Sequence, residues 1–258
     1  MKIDLRDTTF IIPVHFDHED RRENLELCLK QLTTHFDTNI IIGEQGSDEF
    51  GWRNDGYIKF DYPKFHRTRM LNDLTKLAKT KFVVNYDCDV LLPPLNLFMA
   101  IHRLRNGVDF CYPYDGRFAR VPRIYYEEVD SFNDVGVLAG RNYRGITEEE
   151  TKSFGGAVAY NRQSFFNAGG ENENFVSWSG EDWERVHRFK LLGFKVERIT
   201  GILYHIDHWT GVNSSTANPD YESSMAELRK VQKMSKAKLA EYVSGWDLFK
   251  KFGAKPNP

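Results

Sequence analysis

Residues 81–94 read KFVVNYDCDVLLPP. Short apolar runs at 82–84 and 90–92, rich in β-branched residues and ended by two prolines, indicate buried strands. Because side chains alternate along an extended chain, Asp87 and Asp89 are expected to point the same way at the end of such a strand. Two like charges this close favour a divalent metal ion between them, and two solvated loop aspartates are the alternative.

Length and composition are typical of a globular protein. The 258 residues suffice for one large or two small domains, and the net charge of −2 gives no strong attraction to nucleic acid or anionic lipid. The N-terminus lacks the apolar stretch of a signal peptide, and no run is long enough for a membrane span. The three cysteines lack metal-type spacing, which predicts reduced thiols in a cytoplasmic protein.

The N-terminal part predicts a strand at 8–14, an amphipathic helix at 21–35 and a second strand at 39–43. A strand, a helix and a strand in this order are typical of a parallel α/β unit. Ligands of such sheets bind beyond the carboxyl ends of the strands. The loops at 15–20 and 44–47 therefore become candidate ligand contacts.

Further helices and strands follow along the chain. Helices are predicted at 67–79, 95–105, 162–168, 181–192 and 221–242. Strands are predicted at 57–60, 108–112, 153–161, 195–199 and 202–206. Residues 115–150 lack a clear period and are interpreted as a long loop, functional or mobile.

Residues 178–182, WSGED, precede the helix predicted at 181–192. One interpretation is structural, with Ser179 as N-cap and Asp182 completing an approximate capping box. The other is chemical: a carboxylate beside the aromatic platform of Trp178 could act as general base for a sugar hydroxyl. Upstream, a Gly-Gly pair that ends at Gly156 would let a ligand or another backbone approach closely.

His205 and His208 lie three residues apart at the end of a predicted strand. Imidazole is a common ligand of manganese and zinc, so one of them could share a metal ion with Asp89. Structural histidines are the alternative. The chain has no Cys/His set for a closed zinc site.

Taken together, these segments resemble a known family. FVVNYDCDVLLPP, then FGG followed by WSGEDW, then YHIDHW are similar to GT-A glycosyltransferases of the β-1,4-galactosyltransferase and chondroitin-polymerase kind, from about residue 8 to 209. The resemblance implies an α/β GT-A (Rossmann-like) fold, with a mixed, mainly parallel sheet flanked by helices. The catalytic domain is expected at 1–218, and the shift to a basic composition after Pro219 predicts a helical extension at 219–258.

By resemblance, Asp89 matches the manganese ligand and Asp87 the residue that contacts the ribose or the metal's outer shell. His205 matches the late metal-binding histidine. Ile202 stands where the galactosyltransferases have a methionine ligand, so either water or His208 would complete the site. The expected cofactor is Mn²⁺ or Mg²⁺.

The resemblance also assigns the catalytic and donor-binding residues. Asp182 matches the catalytic base and Glu181 its acceptor-binding neighbour. The expected donor contacts are Pro13, Val14, His15, Glu44, Gln45, Arg67, Asp87, Gly156 and Trp178.

The resulting expectation is a metal-dependent inverting glycosyltransferase of polysaccharide biosynthesis. A sugar would move from a nucleotide-sugar donor, UDP-hexose or UDP-N-acetylhexosamine, to a hydroxyl of a glycan or glycolipid, with no nucleic acid as partner. A sugar nucleotidyltransferase would carry a glycine-rich basic loop near the N-terminus, which IIPVHFDHED is not. A non-catalytic nucleotide- or sugar-binding protein on the same fold is the other alternative.

The C-terminal tail is the remaining feature. From Arg229 to the end, the sequence has eight Lys or Arg residues and only two acidic residues, and it also includes Trp246 and Phe252. One interpretation is a helical cap that packs its apolar side chains on the core. The other is a scaffold or adaptor that makes weak peripheral contact with the inner face of a membrane.

Overall fold

The computed structural model describes residues 1–46, 56–141 and 153–254. The strands are β1 (Ile3–Val14), β2 (Phe36–Gln45), β3 (Tyr57–Phe60), β4 (Phe82–Tyr86), β5 (Val90–Leu91), β6 (Phe110–Tyr112), β7 (Arg117–Val121), β8 (Ala157–Asn161), β9 (Val196–Arg198) and β10 (Ile202–Ile206). The helices are α1 (Glu19–His35), α2 (Arg67–Leu77), α3 (Pro94–Arg105), α4 (Tyr126–Phe132), α5 (Arg162–Asn167), α6 (Glu181–Leu192), α7 (Tyr221–Gln232), α8 (Lys236–Ser244) and α9 (Asp247–Phe252).

The larger sheet is mixed and mainly parallel, as predicted. In the described residues its strand order is β3-β2-β1-β4-β8-β6-β9. Strand β1 pairs in parallel with β2 and β4, which confirms the predicted strand–helix–strand unit at the N-terminus. Strand β8 runs antiparallel to both of its neighbours, β4 and β6.

Strand β4 lies between β1 and β8, and all five of its residues are buried. A strand covered on both faces needs a nearly continuous apolar sequence, which accounts for the run that begins at Phe82. The carboxyl ends of the parallel strands β1 and β4 therefore open onto one edge of the sheet.

A second, three-stranded sheet has the order β5-β10-β7. Its register pairs His205 of β10 with Val90 of β5, and the Ile206 amide donates to the Asp89 carbonyl at 2.9 Å. Residues 115 positions apart along the chain thus become neighbours.

Two predictions about local structure are wrong. The helix predicted at 221–242 is broken into α7 and α8, because Ser235 begins a new helix by accepting a hydrogen bond from the Lys238 amide. The loop predicted at 115–150 contains β7 and α4. The short β7 finds its partner in β10, far along the chain, and residues 142–150 of that prediction lie outside the described residues.

The C-terminal helices pack onto α6. Val231, Leu239 and Val243 form a small apolar cluster that contacts Leu191 and Leu192 of α6. This packing supports the interpretation of the tail as a helical cap, while the boundary at residue 218 stays a prediction. No helix among the described residues is both long and apolar enough to cross a membrane.

Candidate active site

A cavity of about 660 Å³ opens beside the carboxyl ends of β1 and β4. It brings together twelve of the fourteen predicted site residues. They are Pro13, Val14, His15, Arg67, Asp87, Asp89, Gly156, Trp178, Glu181, Asp182, His205 and His208.

The other two predicted residues, Glu44 and Gln45, do not line the cavity among the described residues. Glu44 is fully buried. The Gln45 side chain is engaged with the backbone, since its amide donates to the Tyr62 carbonyl and its oxygen accepts from the His66 amide. The expected contact of either side chain with a nucleotide base therefore has no support in this arrangement.

Asp87, Cys88 and Asp89 form a turn rather than the end of a strand. Strand β4 ends at Tyr86, and the Cys88 side chain is buried in the core. The two carboxylates both line the cavity, but they have different partners. Asp87 accepts a hydrogen bond from Arg67 at 2.6 Å, whereas Asp89 lies beside His205 and His208.

The Asp89 carboxylate lies between two imidazoles. Nε2 of His208 is 3.1 Å from Oδ2, and Nε2 of His205 is 3.6 Å from Oδ1. One ligand atom from each of the three side chains falls within 4.8 Å of the others, which suits a single cation. One carboxylate and two imidazoles are a donor set that Mn²⁺ and other divalent transition metals accept.

The electrostatics of this group follow from burial and from Asp89. Burial lowers the pKa of His205, which favours the neutral imidazole that can coordinate a metal. Burial also opposes protonation of His208, but the hydrogen bond to Asp89 and the negative charge of Asp89 together raise its pKa. Burial alone would raise the pKa of Asp89, but the neighbouring imidazoles and Arg21 hold it well below its usual range.

His208, and not Ile202, lies beside Asp89 and His205. Ile202 begins β10, pairs with Arg117 and lies outside the ligand group. Of the two alternatives for completing the site, the structure brings His208 into the group. Asp87, also predicted as a candidate ligand, lies outside it as well.

Arg21 is a site residue that sequence reasoning missed. Its Nη1 lies 3.3 Å from Asp89 Oδ2, its Nε donates to Asp17 at 2.7 Å and its Nη2 donates to Ser214 at 3.1 Å. The i,i+4 spacing of Asp17 and Arg21 was the one local signal. This spacing does not predict the contact with Asp89, because that contact joins distant parts of the chain.

Arg67 organises a second acidic group. Its Nη2 donates to Asp87 at 2.6 Å. Its Nη1 lies 3.7 Å from Glu181 and 3.9 Å from Asp182. Arg185, which is 1% exposed, donates to Asp182 at 2.5 Å and to Glu171 at 2.8 Å. Two fixed guanidinium groups therefore face these carboxylates.

Helix α6 begins without the predicted capping box. Its N-cap is Gly180, with no side-chain cap, and Glu181 accepts a hydrogen bond from the Ser179 amide at 3.0 Å. The Asp182 carboxylate is thus left to line the cavity. Burial, and next the neighbouring Asp182, raise the pKa of Glu181 to about 8.

Two side chains pack closely against the glycine pair, and the predicted approach of a ligand to it stays a prediction. A Cβ at Gly155 would lie 2.7 Å from Oδ2 of Asp182. Gly156 has φ of +84°, and a Cβ there would lie 2.8 Å from Leu203. Larger residues would displace Asp182 or the small sheet that carries His205.

Two aromatic contacts shape the rim. Trp178 is 47% exposed and stacks on Tyr221, with ring centroids 6.2 Å apart and planes 13° apart. The Asn218 side chain donates to the Trp178 carbonyl at 3.1 Å. His15 stacks on Phe65 at 5.2 Å and lies within hydrogen-bond distance of the Gln45 carbonyl.

Part of this chain is similar to known proteins of one family. Residues 137–209 match a family model described as the N-terminal domain of galactosyltransferase. This chain resembles the galactosyltransferases. A stretch of 62 residues is 36% identical to β-1,4-galactosyltransferase 4 of Rattus norvegicus and to that of Cricetulus griseus. The stretch covers 24% of this chain and spans only 18% of either relative.

A solved structure extends the likeness to the fold. Glucosyl-3-phosphoglycerate synthase from Mycobacterium tuberculosis, in complex with Mn²⁺, UDP-glucose and phosphoglyceric acid, aligns with a TM-score of 0.54 at 13% identity. The alignment covers 89% of this chain and 81% of that one. The galactosyltransferase-like chain therefore has the GT-A fold, as its sequence predicts.

Proposed function

We propose that the protein is a metal-dependent inverting glycosyltransferase. It transfers a hexose or N-acetylhexosamine from a UDP-sugar to a hydroxyl of a glycan or glycolipid. The observation that carries the proposal is that the Asp89–His205–His208 group and Asp182 line one cavity. The resemblance to galactosyltransferases supports the same reaction class.

Asp89, His205 and His208 would hold Mn²⁺ or Mg²⁺. The support is their donor set and their spacing of at most 4.8 Å, together with a structural neighbour that is in complex with Mn²⁺ and UDP-glucose. A cation bound here would supply positive charge that stabilises a diphosphate leaving group.

Asp182 accepts the proton of the acceptor hydroxyl as its oxygen attacks the anomeric carbon. The bond from that carbon to the diphosphate breaks in the same step, which inverts the configuration. Arg185 fixes the orientation of Asp182 through its 2.5 Å contact.

Glu181 and Asp182 divide their tasks by environment. A buried Glu181 with a pKa raised to about 8 keeps its proton at neutral pH, so its carboxyl can donate a hydrogen bond to an acceptor hydroxyl. Asp182 is more exposed than Glu181, and it lies near two guanidinium groups, those of Arg67 and Arg185, which favour a negatively charged base.

A panel of UDP- and GDP-sugars, with Mn²⁺, with Mg²⁺ and with EDTA, tests the proposal. We expect at least one UDP-sugar to raise the Tm in the presence of metal, and UDP to be released faster when saccharide acceptors are added. Binding without release under any condition would favour the non-catalytic alternative. The absence of any response to all the nucleotide sugars would exclude the transferase.

A further inference from the structure

Three tryptophans at or near the cavity are about half exposed, but their surroundings differ. Trp178 and Trp183 are each 47% exposed, and Trp209 is 51% exposed. Trp178 stacks on Tyr221, and Trp209 stacks on His18 at 5.8 Å with planes 25° apart. Among the described residues, no aromatic ring lies parallel to the indole of Trp183.

Trp183 lies in the cavity wall directly after Asp182. Its recorded ring contact is with Phe154, at 4.9 Å between centroids and 76° between planes. The Trp183 indole is therefore large, half exposed and next to the candidate base. With no ring stacked on it among the described residues, it is available to stack on a ligand.

The Phe154 ring that supports Trp183 is itself held in place. The Arg198 guanidinium lies 4.1 Å from its centroid, and the Tyr112 ring contacts it edge-on at 5.4 Å. Tyr112 is fully buried. An indole that leans on a fixed ring loses little side-chain entropy when a ligand stacks on it, and this favours binding.

We infer that Trp183 is the acceptor platform, on which a pyranose ring of the acceptor glycan stacks with its apolar C–H face. Its place next to Asp182 on the first turn of α6 sets the stacked sugar beside the base, and the indole N–H is a donor for a sugar hydroxyl. This inference rests on the proposed function and adds the position and the chemistry of the acceptor subsite.

The test compares the wild type with W183A, W183F and W209A. UDP release from a UDP-sugar with Mn²⁺ is measured against increasing concentrations of cellobiose, N-acetyllactosamine, xylobiose and methyl hexosides. Trp209 matches Trp183 in type and exposure but is not among the described residues that line the cavity.

We expect W183A to raise the half-saturating concentration of the stimulating saccharide about tenfold or more, because truncating a contact tryptophan at a binding site typically costs that much. W183F should recover most of the affinity, and W209A should leave the half-saturating concentration unchanged. The maximal rate at saturating saccharide should fall far less than the affinity in W183A.

An unchanged half-saturating concentration in W183A would overturn the inference while leaving the proposed function intact. Metal-dependent UDP release by the wild type that no saccharide of the panel stimulates would overturn the inference and also the proposed transfer to a glycan. Absence of metal-dependent UDP release from every donor would instead overturn the proposed function, and the inference with it.

Discussion

Asp87 and Asp89 are separated by one residue, yet their carboxylates lie in two different charge environments. Asp87 joins Glu181 and Asp182 around the Arg67 guanidinium. Asp89 lies between two imidazoles, with Arg21 at 3.3 Å. The turn at Cys88 sends each carboxylate to its own group.

The difference indicates how one cavity can hold several acids for distinct purposes. A guanidinium is permanently charged and has no lone pair to offer, so the Arg67 group is compensated without a metal ion. A neutral imidazole coordinates a metal, so the Asp89 group can take up a cation and release it. Five variants test this division, from the largest expected effect to the smallest.

D182N should reduce the turnover of sugar transfer by about 10²- to 10⁴-fold, the usual contribution of a general base. Metal-dependent UDP binding should be nearly intact, because the Asp89 group is unaltered. Steady-state kinetics and calorimetric titration with UDP and Mn²⁺ measure the two quantities. D247N, which changes an exposed acid in the first turn of α9, is the control. Full turnover in D182N would contradict its role as the base.

D89N should weaken metal-dependent UDP binding by more than about 100-fold, since it removes the carboxylate of the ligand group. D87N is the matched variant two positions away. It should weaken metal-dependent UDP binding by about tenfold or less, because Asp87 contacts Arg67 rather than the imidazoles. Calorimetric titration of both variants with UDP and metal measures the loss of affinity in each. Equal losses of affinity would show that the two carboxylates share one cation. The division into an Arg67 group and an Asp89 group would then be wrong.

H208A should weaken Mn²⁺ binding by about 10- to 100-fold, as loss of one neutral ligand predicts. The Mn²⁺ affinity is measured without nucleotide by titrating the protein with Mn²⁺ and detecting the free ion by electron paramagnetic resonance. H102A changes an exposed histidine of α3 and controls for nonspecific binding. An unchanged affinity in H208A would leave water as the ligand in place of the family's methionine.

E181Q should alter how stability depends on pH. Burial raises the pKa of Glu181 from 4.5 to about 8, so between these values the folded state holds a proton that the unfolded state has lost. The free energy of unfolding of the wild type should therefore fall with rising pH, relative to E181Q, by up to about 1.4 kcal/mol per pH unit.

Urea unfolding at several pH values from 5 to 8 measures this difference, with E222Q, at an exposed acid of α7, as the control. Parallel curves for the wild type and E181Q would show that Glu181 is ionised in the folded protein. The proposed role of Glu181 as a hydrogen-bond donor to the acceptor would then be wrong.

The sequence predicts those parts of the site that depend on local periodicity. Helix α6 has the predicted bounds of residues 181–192, because its apolar period ends at Gly193, which adopts the left-handed conformation. The histidine pair and the glycine pair were likewise found from short segments. Each of these features is encoded within a few consecutive residues.

Features that depend on distant partners escaped prediction. Arg21 contacts Asp89 across 68 positions and Ser214 across 193. The turn at Asp87–Asp89 depends on burial of Cys88, whose backbone carbonyl accepts from the buried Cys28 thiol. The resemblance assigns Glu181 as the acceptor-binding neighbour of the base, but it does not predict that Glu181 is buried 3.7 Å from Arg67, which belongs to another helix.

The stack of Trp178 on Tyr221 has a consequence for how this protein can be divided. Tyr221 belongs to the predicted extension at 219–258, whereas Trp178 lines the cavity. A chain shortened to residue 218 would lose one layer of the cavity rim and the Lys64–Asp220 ion pair at 2.9 Å. Truncation therefore cannot separate a membrane-binding tail from a catalytic body, and point substitutions of exposed tail lysines are the cleaner way to examine lipid contact.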